Sequence, residues 1–121
     1  MQVKTSELNG NALDWAVAKC LNITPIAVKK KYSEGYILYS LPASTVPLEY
    51  SSKWAQGGPI IDRECIWLTH HDAAKMHGAH KGDDVWFQKG STPLIAAMRC
   101  YVASKFGGTV EIPDQFLEVN L

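Results

Sequence analysis

Nothing in the 121 residues approaches the roughly 20 consecutive apolar residues that a membrane-spanning helix needs. No apolar run follows the first basic residue in the manner of a secretion signal, so the expected location is the cytoplasm. Net charge is also missing, because 12 Lys and Arg balance 12 Asp and Glu. The first 60 residues carry six basic and four acidic groups, and the remainder carry six and eight. Neither half offers the positive field that general nucleic-acid binding requires. The run Lys29-Lys30-Lys31 reads as solvated surface. Cysteine is scarce: Cys20, Cys65 and Cys100 are odd in number, far apart and without CxxC or zinc-ribbon spacing. That excludes a disulfide framework and leaves reduced thiols, with Cys20 and Cys100 on apolar helical patterns that suit a core. No nucleophile elbow, paired-carboxylate motif, HExxH, Walker or Rossmann fingerprint appears. The expectation is therefore no enzyme, no cofactor and no metal.

What is present is ordinary globular composition, 46% hydrophobic and 20% charged, in a length that suits a single domain over residues 1–121. The strongest local signal is Thr92-Pro93 through Phe106-Gly107. Ser91 or Thr92 suits an N-cap, Pro93 the first helical position, and Gly107 and Gly108 the stop. Between them Leu94, Ile95, Met98, Tyr101, Val102 and Phe106 recur at helical spacing, while Ala96, Ala97, Cys100 and Ala103 fill the other faces. A helix apolar on nearly all sides is a buried one. A second helix is expected over 12–21, with Asn22 as its cap and Pro25 barring continuation. Thr5-Ser6-Glu7 suggests a helix start that Asn9-Gly10-Asn11 interrupts.

Strands are expected at Tyr36–Tyr39, Cys65–Thr69, Asp84–Gln88 and Thr109–Ile112, the first introduced by a turn at Glu34-Gly35. Pro25 argues against a central strand just after it. Trp67 and Trp86 are expected as cross-strand neighbours, and the polar stretch His70–Lys81 as a surface bulge. Trp54-Ala-Gln-Gly-Gly-Pro59 reads as a loop entering a short helix, with Pro59 in its first turn. Phe116, Leu117, Val119 and Leu121 make the C-terminal tail apolar enough to dock on the body or on another subunit. The class is α+β: a small, mainly antiparallel sheet packed against a buried central helix (about 92–106) and an N-terminal helix (about 12–21).

Three places draw attention for chemistry. The glycines of the Trp54–Pro59 loop let backbone approach a ligand, its amides suit an anion, Trp54 can stack on a planar base, and Gln56 can hydrogen-bond it. Arg99 lies near the middle of a buried helix and must be paired. A salt bridge to Asp14, Asp62 or Glu64 is one reading, and a phosphate or carboxylate clamp the other. His70, His71, His77 and His80, with Asp72 among them, match no trusted zinc spacing.

Over Trp54-Ala-Gln-Gly-Gly-Pro-Ile-Ile-Asp-Arg63 and Thr92-Pro-Leu-Ile-Ala-Ala-Met-Arg-Cys-Tyr-Val-Ala-Ser-Lys-Phe-Gly107 the chain resembles the NinX-like family of small phage proteins. Leu13-Asp-Trp-Ala-Val-Ala-Lys19 is similar to that family's N-terminal helix, and Val110-Glu-Ile-Pro-Asp114 to its ending. Where the family usually carries Thr-Asp-Trp, this chain has Ser52-Lys53-Trp54. The resemblance implies a phage protein and groups Asp14, Trp15, Trp54, Gln56, Gly57, Gly58, Thr92 and Arg99 as ligand-binding residues. The resulting expectation is a non-enzymatic, homo-oligomeric accessory protein in the infected host. It would bind a small anionic or nucleotide-like molecule and sequester a host anti-phage defence signal. The alternative is a protein-binding modulator of a host factor, working through Trp67, Trp86 and the tail.

Overall fold

A computed structural model of the chain describes residues 1–41, 44–71, 76–82 and 86–117. Strand β1 (Gln2–Lys4) leads into a single 3-10 turn, Thr5–Glu7, so the helix signal at Thr5 yields one turn only. Helix α1 (Gly10–Cys20) starts two residues before the expected point, with Asn9 as its extended cap. Its end is a Schellman closure: the Ile23 N–H donates to the Ala18 carbonyl at 2.9 Å and the Asn22 N–H to the Lys19 carbonyl at 3.0 Å. Asn22 supplies the left-handed residue, with φ of 62°. Strands β2 (Ile26–Lys29) and β3 (Tyr36–Tyr39) pair as an antiparallel hairpin of their own, in which neither strand is central, and Pro25 stays outside it.

Helix α2 (Trp54–Arg63) corrects the loop expected at Trp54–Pro59. Both glycines lie within it, and Pro59 is interior rather than in the first turn. Two features make this geometry accessible. Gly58 has no Cβ to clash with the following proline ring, which is what normally drives a pre-proline residue out of the helical region. Gly57 meets its surroundings too closely for any larger residue: a Cβ there would lie 2.6 Å from both the Tyr50 carbonyl oxygen and Leu94 Cδ2. Tertiary contact, not local propensity, selects the helix.

Strands β4 (Ile66–His71), β5 (Met76–Lys81) and β6 (Gln88–Gly90) form a three-stranded antiparallel sheet in that order. The expected bulge at 70–81 is thus strand over its described residues, with β5 returning along β4, and Gln88 at the end of the strand expected over 84–88 opens β6. Residues 72–75 and 83–85, including Asp72 and Asp84, lie outside the described residues. In this register Trp67 stands opposite His80 and stacks on it with ring centroids 5.9 Å apart, so its cross-strand neighbour is not Trp86. The misreading has a physical cause. β5 is Met-His-Gly-Ala-His-Lys, poor in strand-favouring residues, and it pairs because Ala79 is fully buried and Gly78 admits the Phe87 ring.

Helix α3 (Pro93–Phe106) has the caps expected of it. Thr92 Oγ1 accepts the Ile95 N–H at 3.1 Å, Pro93 follows, and Gly107 takes φ of 85° at the far end. Ala96, Ala97, Met98, Cys100 and Val102 are fully buried, because α3 packs on the β4–β5–β6 sheet and against α1 and α2. Strand β7 (Thr109–Glu111) pairs antiparallel with β1, and a last 3-10 turn, Asp114–Phe116, buries Phe116. Val119 and Leu121 lie outside the described residues. Cys100 is buried and Cys20 half-buried, and desolvation raises their thiols to about 11 and about 12, as inert core cysteines should be.

Candidate functional site

The residues singled out from the sequence fall in several separate places. Asp14 sits on the buried face of α1, only 4% exposed, and one carboxylate oxygen accepts the Ser51 N–H at 2.8 Å. Burial pushes its carboxyl up to about 6; the Ser51 hydrogen bonds oppose that shift and the Glu49 charge adds to it. Gln56, the third residue of α2, donates from Nε2 to the Pro47 carbonyl at 2.8 Å and accepts the Glu49 N–H at 2.7 Å. Gly57 lies against Tyr50. Asp14, Gln56 and Gly57 therefore do converge, on the segment Pro47–Lys53, and they use their polar groups to pin it between α1 and α2.

Arg99 does not make the salt bridge to Asp14, Asp62 or Glu64 that was one reading of it; its donors go to backbone carbonyls. Its Nε donates to the Leu8 carbonyl at 2.7 Å and Nη1 to the Lys89 carbonyl at 2.7 Å. Among the described residues no carboxylate pairs with it; Glu64 instead holds Lys81 at 3.1 Å and Arg63 at 3.1 Å. Partial burial lowers the guanidinium pKa from its usual value. Arg99 thus ties the approach to α1 and the strand β6 onto α3. Thr92 spends its hydroxyl on the α3 cap.

Trp54 and Gly58 share the outer side of α2. Trp54 is 54% exposed, and the nearest atom a Cβ on Gly58 would meet is Trp54 Cε3 at 3.9 Å. Trp15 lies elsewhere, in a recess of about 380 Å³ lined by Lys19, Phe106, Gln2, Thr109, Val110 and Glu111 as well. The Lys19 ammonium stands 5.8 Å from the Trp15 ring centroid. Sequence reasoning missed Lys19 and Phe106. The available signal was the Trp15–Lys19 spacing of four residues, which places both on one helix face.

An indole beside an ammonium can stack a planar group and pair with an anion attached to it. Glu111 at the rim would oppose an anion, but its carboxylate is engaged by the Met1 amino group. The volume lies at the lower end of the range that small-ligand sites occupy, about 300–1,000 Å³. Among the described residues, no group of three or more His, Cys, Asp or Glu is placed to hold a metal ion. No described helix is long and apolar enough to cross a membrane.

No curated protein matches this chain. A family model described as NinX of bacteriophage P22 matches residues 4–105, from the last residue of β1 through nearly all of α3, and the chain belongs to that phage family.

Proposed function

We propose that this protein is a non-enzymatic phage accessory protein of the host cytoplasm that binds a small anionic or nucleotide-like molecule. The observation that carries the reading is the recess whose lining brings the Trp15 indole and the Lys19 ammonium together with the apolar Phe106 and Val110. Of the residues grouped from the sequence, Trp15 is the one this recess retains, with Lys19 and Phe106 joining it. Asp14, Gln56, Thr92 and Arg99 serve as supports of the fold. Capture without turnover is a use that suits a phage protein facing a host anti-phage signal.

The test is calorimetric titration of the full chain with AMP, ADP and cyclic AMP. Binding that weakens at least tenfold in Trp15→Ala and in Lys19→Gln, and is unchanged in Trp54→Ala, supports the reading. Equal binding by all variants rejects this recess, and no binding of any nucleotide by the wild type rejects the nucleotide-like ligand.

A second reading, a protein-binding modulator of a host factor, is favoured by Trp67 and Leu68. They are 66% and 41% exposed on β4, an outer strand of its sheet. A host polypeptide retained by the wild type and lost in Trp67→Ala would support it. Light scattering on the same samples tests the proposed homo-oligomer.

A further inference from the structure

We propose that His70 and His77 form a two-point chelate for a divalent transition cation, with Zn²⁺ or Ni²⁺ the fitting class. The proposal is independent of the Trp15 recess. The two residues are far from any zinc-motif spacing in sequence, and the strand register brings them together: His70 pairs directly with His77 across β4 and β5. Their Nδ1 atoms are 3.3 Å apart and their ring centroids 4.7 Å apart. Either Nδ1 can donate to the other, according to the tautomer each ring takes.

The spacing is what a metal asks for. Zinc binds imidazole nitrogen at about 2.0–2.1 Å in a tetrahedron, which sets neighbouring nitrogens about 3.4 Å apart. Two nitrogens already 3.3 Å apart satisfy that with rotation of the side chains and no movement of the strands. Chelation uses the in-plane lone pair of each Nδ1, so a hydrogen carried on either one leaves for solvent water as the ion binds. Water completes the coordination, and imidazole selects borderline cations over Mg²⁺ or Ca²⁺.

The scaffold favours the same outcome. His77 lies on the middle strand of the sheet, and on its other side it stands opposite Gly90, which has no side chain to crowd the ring. His70 is exposed and His77 half-buried. His80 serves as the internal control. It points to the opposite face of β5 because side chains alternate along a strand, and its ring stacks on Trp67.

The experiment is titration of the metal-stripped full chain with ZnCl₂ and with NiCl₂, read by calorimetry and by native mass spectrometry. The expected result is one ion per chain, affinity at least tenfold weaker in His70→Gln and in His77→Gln, and unchanged affinity in His80→Gln. MgCl₂ should give no heat. Nitrogen NMR of the wild-type chain supplies a readout that needs no variant: Zn²⁺ should shift Nδ1 of His70 and His77 and leave the His80 ring in place. Wild-type protein that takes up no Zn²⁺ or Ni²⁺ overturns the proposal, as does binding that survives both single substitutions.

Discussion

The carboxylate of Asp14 accepts the backbone N–H of Ser51 at 2.8 Å in a place that water barely reaches, and no cation of the described residues pairs with it. Burial raises this carboxyl to about 6, above the value of an exposed aspartate. The folded state therefore holds the proton more tightly than the unfolded chain. Its contribution to stability is complete below about pH 4 and is lost as pH rises through about 6, a swing of about 3 kcal/mol for a shift of this size. Asp14→Asn removes the titration and keeps an oxygen for the Ser51 N–H. Urea unfolding at pH 4.5, 6 and 7.5 should show a smaller decline in the variant than in the wild type across that window. Parallel declines would show that Asp14 ionises in the folded protein without cost.

Neighbouring glycines in α2 should respond unequally to alanine. At Gly57 the added Cβ would lie 2.6 Å from the Tyr50 carbonyl oxygen, a backbone atom held by the segment that Asp14 and Gln56 pin. The expected cost is about 1–3 kcal/mol, which exceeds the helix-propensity gain of up to about 1 kcal/mol. At Gly58 the nearest contact is Trp54 Cε3 at 3.9 Å, an ordinary van der Waals distance. No packing clash opposes the propensity gain there, but the Pro59 ring clash that glycine avoids offsets it. Gly58→Ala should stay close to wild-type stability in urea melts, and Gly57→Ala should fall clearly below it.

The contrast between these glycines also marks where the fold was legible in the sequence. Helix α3 was readable because its information is local: Thr92, Pro93 and Gly107 mark its ends, and a surplus of apolar residues between them allows only burial. Helix α2 was not, because Gly57-Gly58-Pro59 resembles a turn until Tyr50 and Leu94 are set against Gly57. Strand β5 was hidden for the same reason. Gly78 and the histidines beside it carry little strand preference, and their pairing is imposed by β4 and β6. At the site level, Gln56 and Arg99 stood out as polar groups in glycine-rich or apolar surroundings, and Asp14 entered as a candidate partner of Arg99 and through the family resemblance. Their partners are backbone groups of Ser51, Glu49, Pro47, Leu8 and Lys89. A main-chain partner leaves no side-chain signature, so a structural anchor and a ligand clamp look alike in a sequence.

Arg99 separates those two roles by experiment. Its guanidinium spans two carbonyls contributed by residues 91 and 10 positions away in sequence, a geometry that a planar fork with several donors can hold. A lysine ammonium on a flexible stem reaches one carbonyl well and leaves the other to water. Because both sites are only partly buried, truncation loses the charge-assisted bonds without stranding the carbonyls in a dry interior. Arg99→Ala should destabilise the fold by about 2–3 kcal/mol and Arg99→Lys by roughly half as much, following the usual worth of hydrogen bonds to a charged group. Urea midpoints for the three proteins at pH 7.5 test the order. A ligand clamp predicts the reverse pattern, with stability nearly constant and nucleotide affinity lost. Arg99 as an anchor requires that folded Arg99→Lys bind any ligand of the Trp15 recess with wild-type affinity.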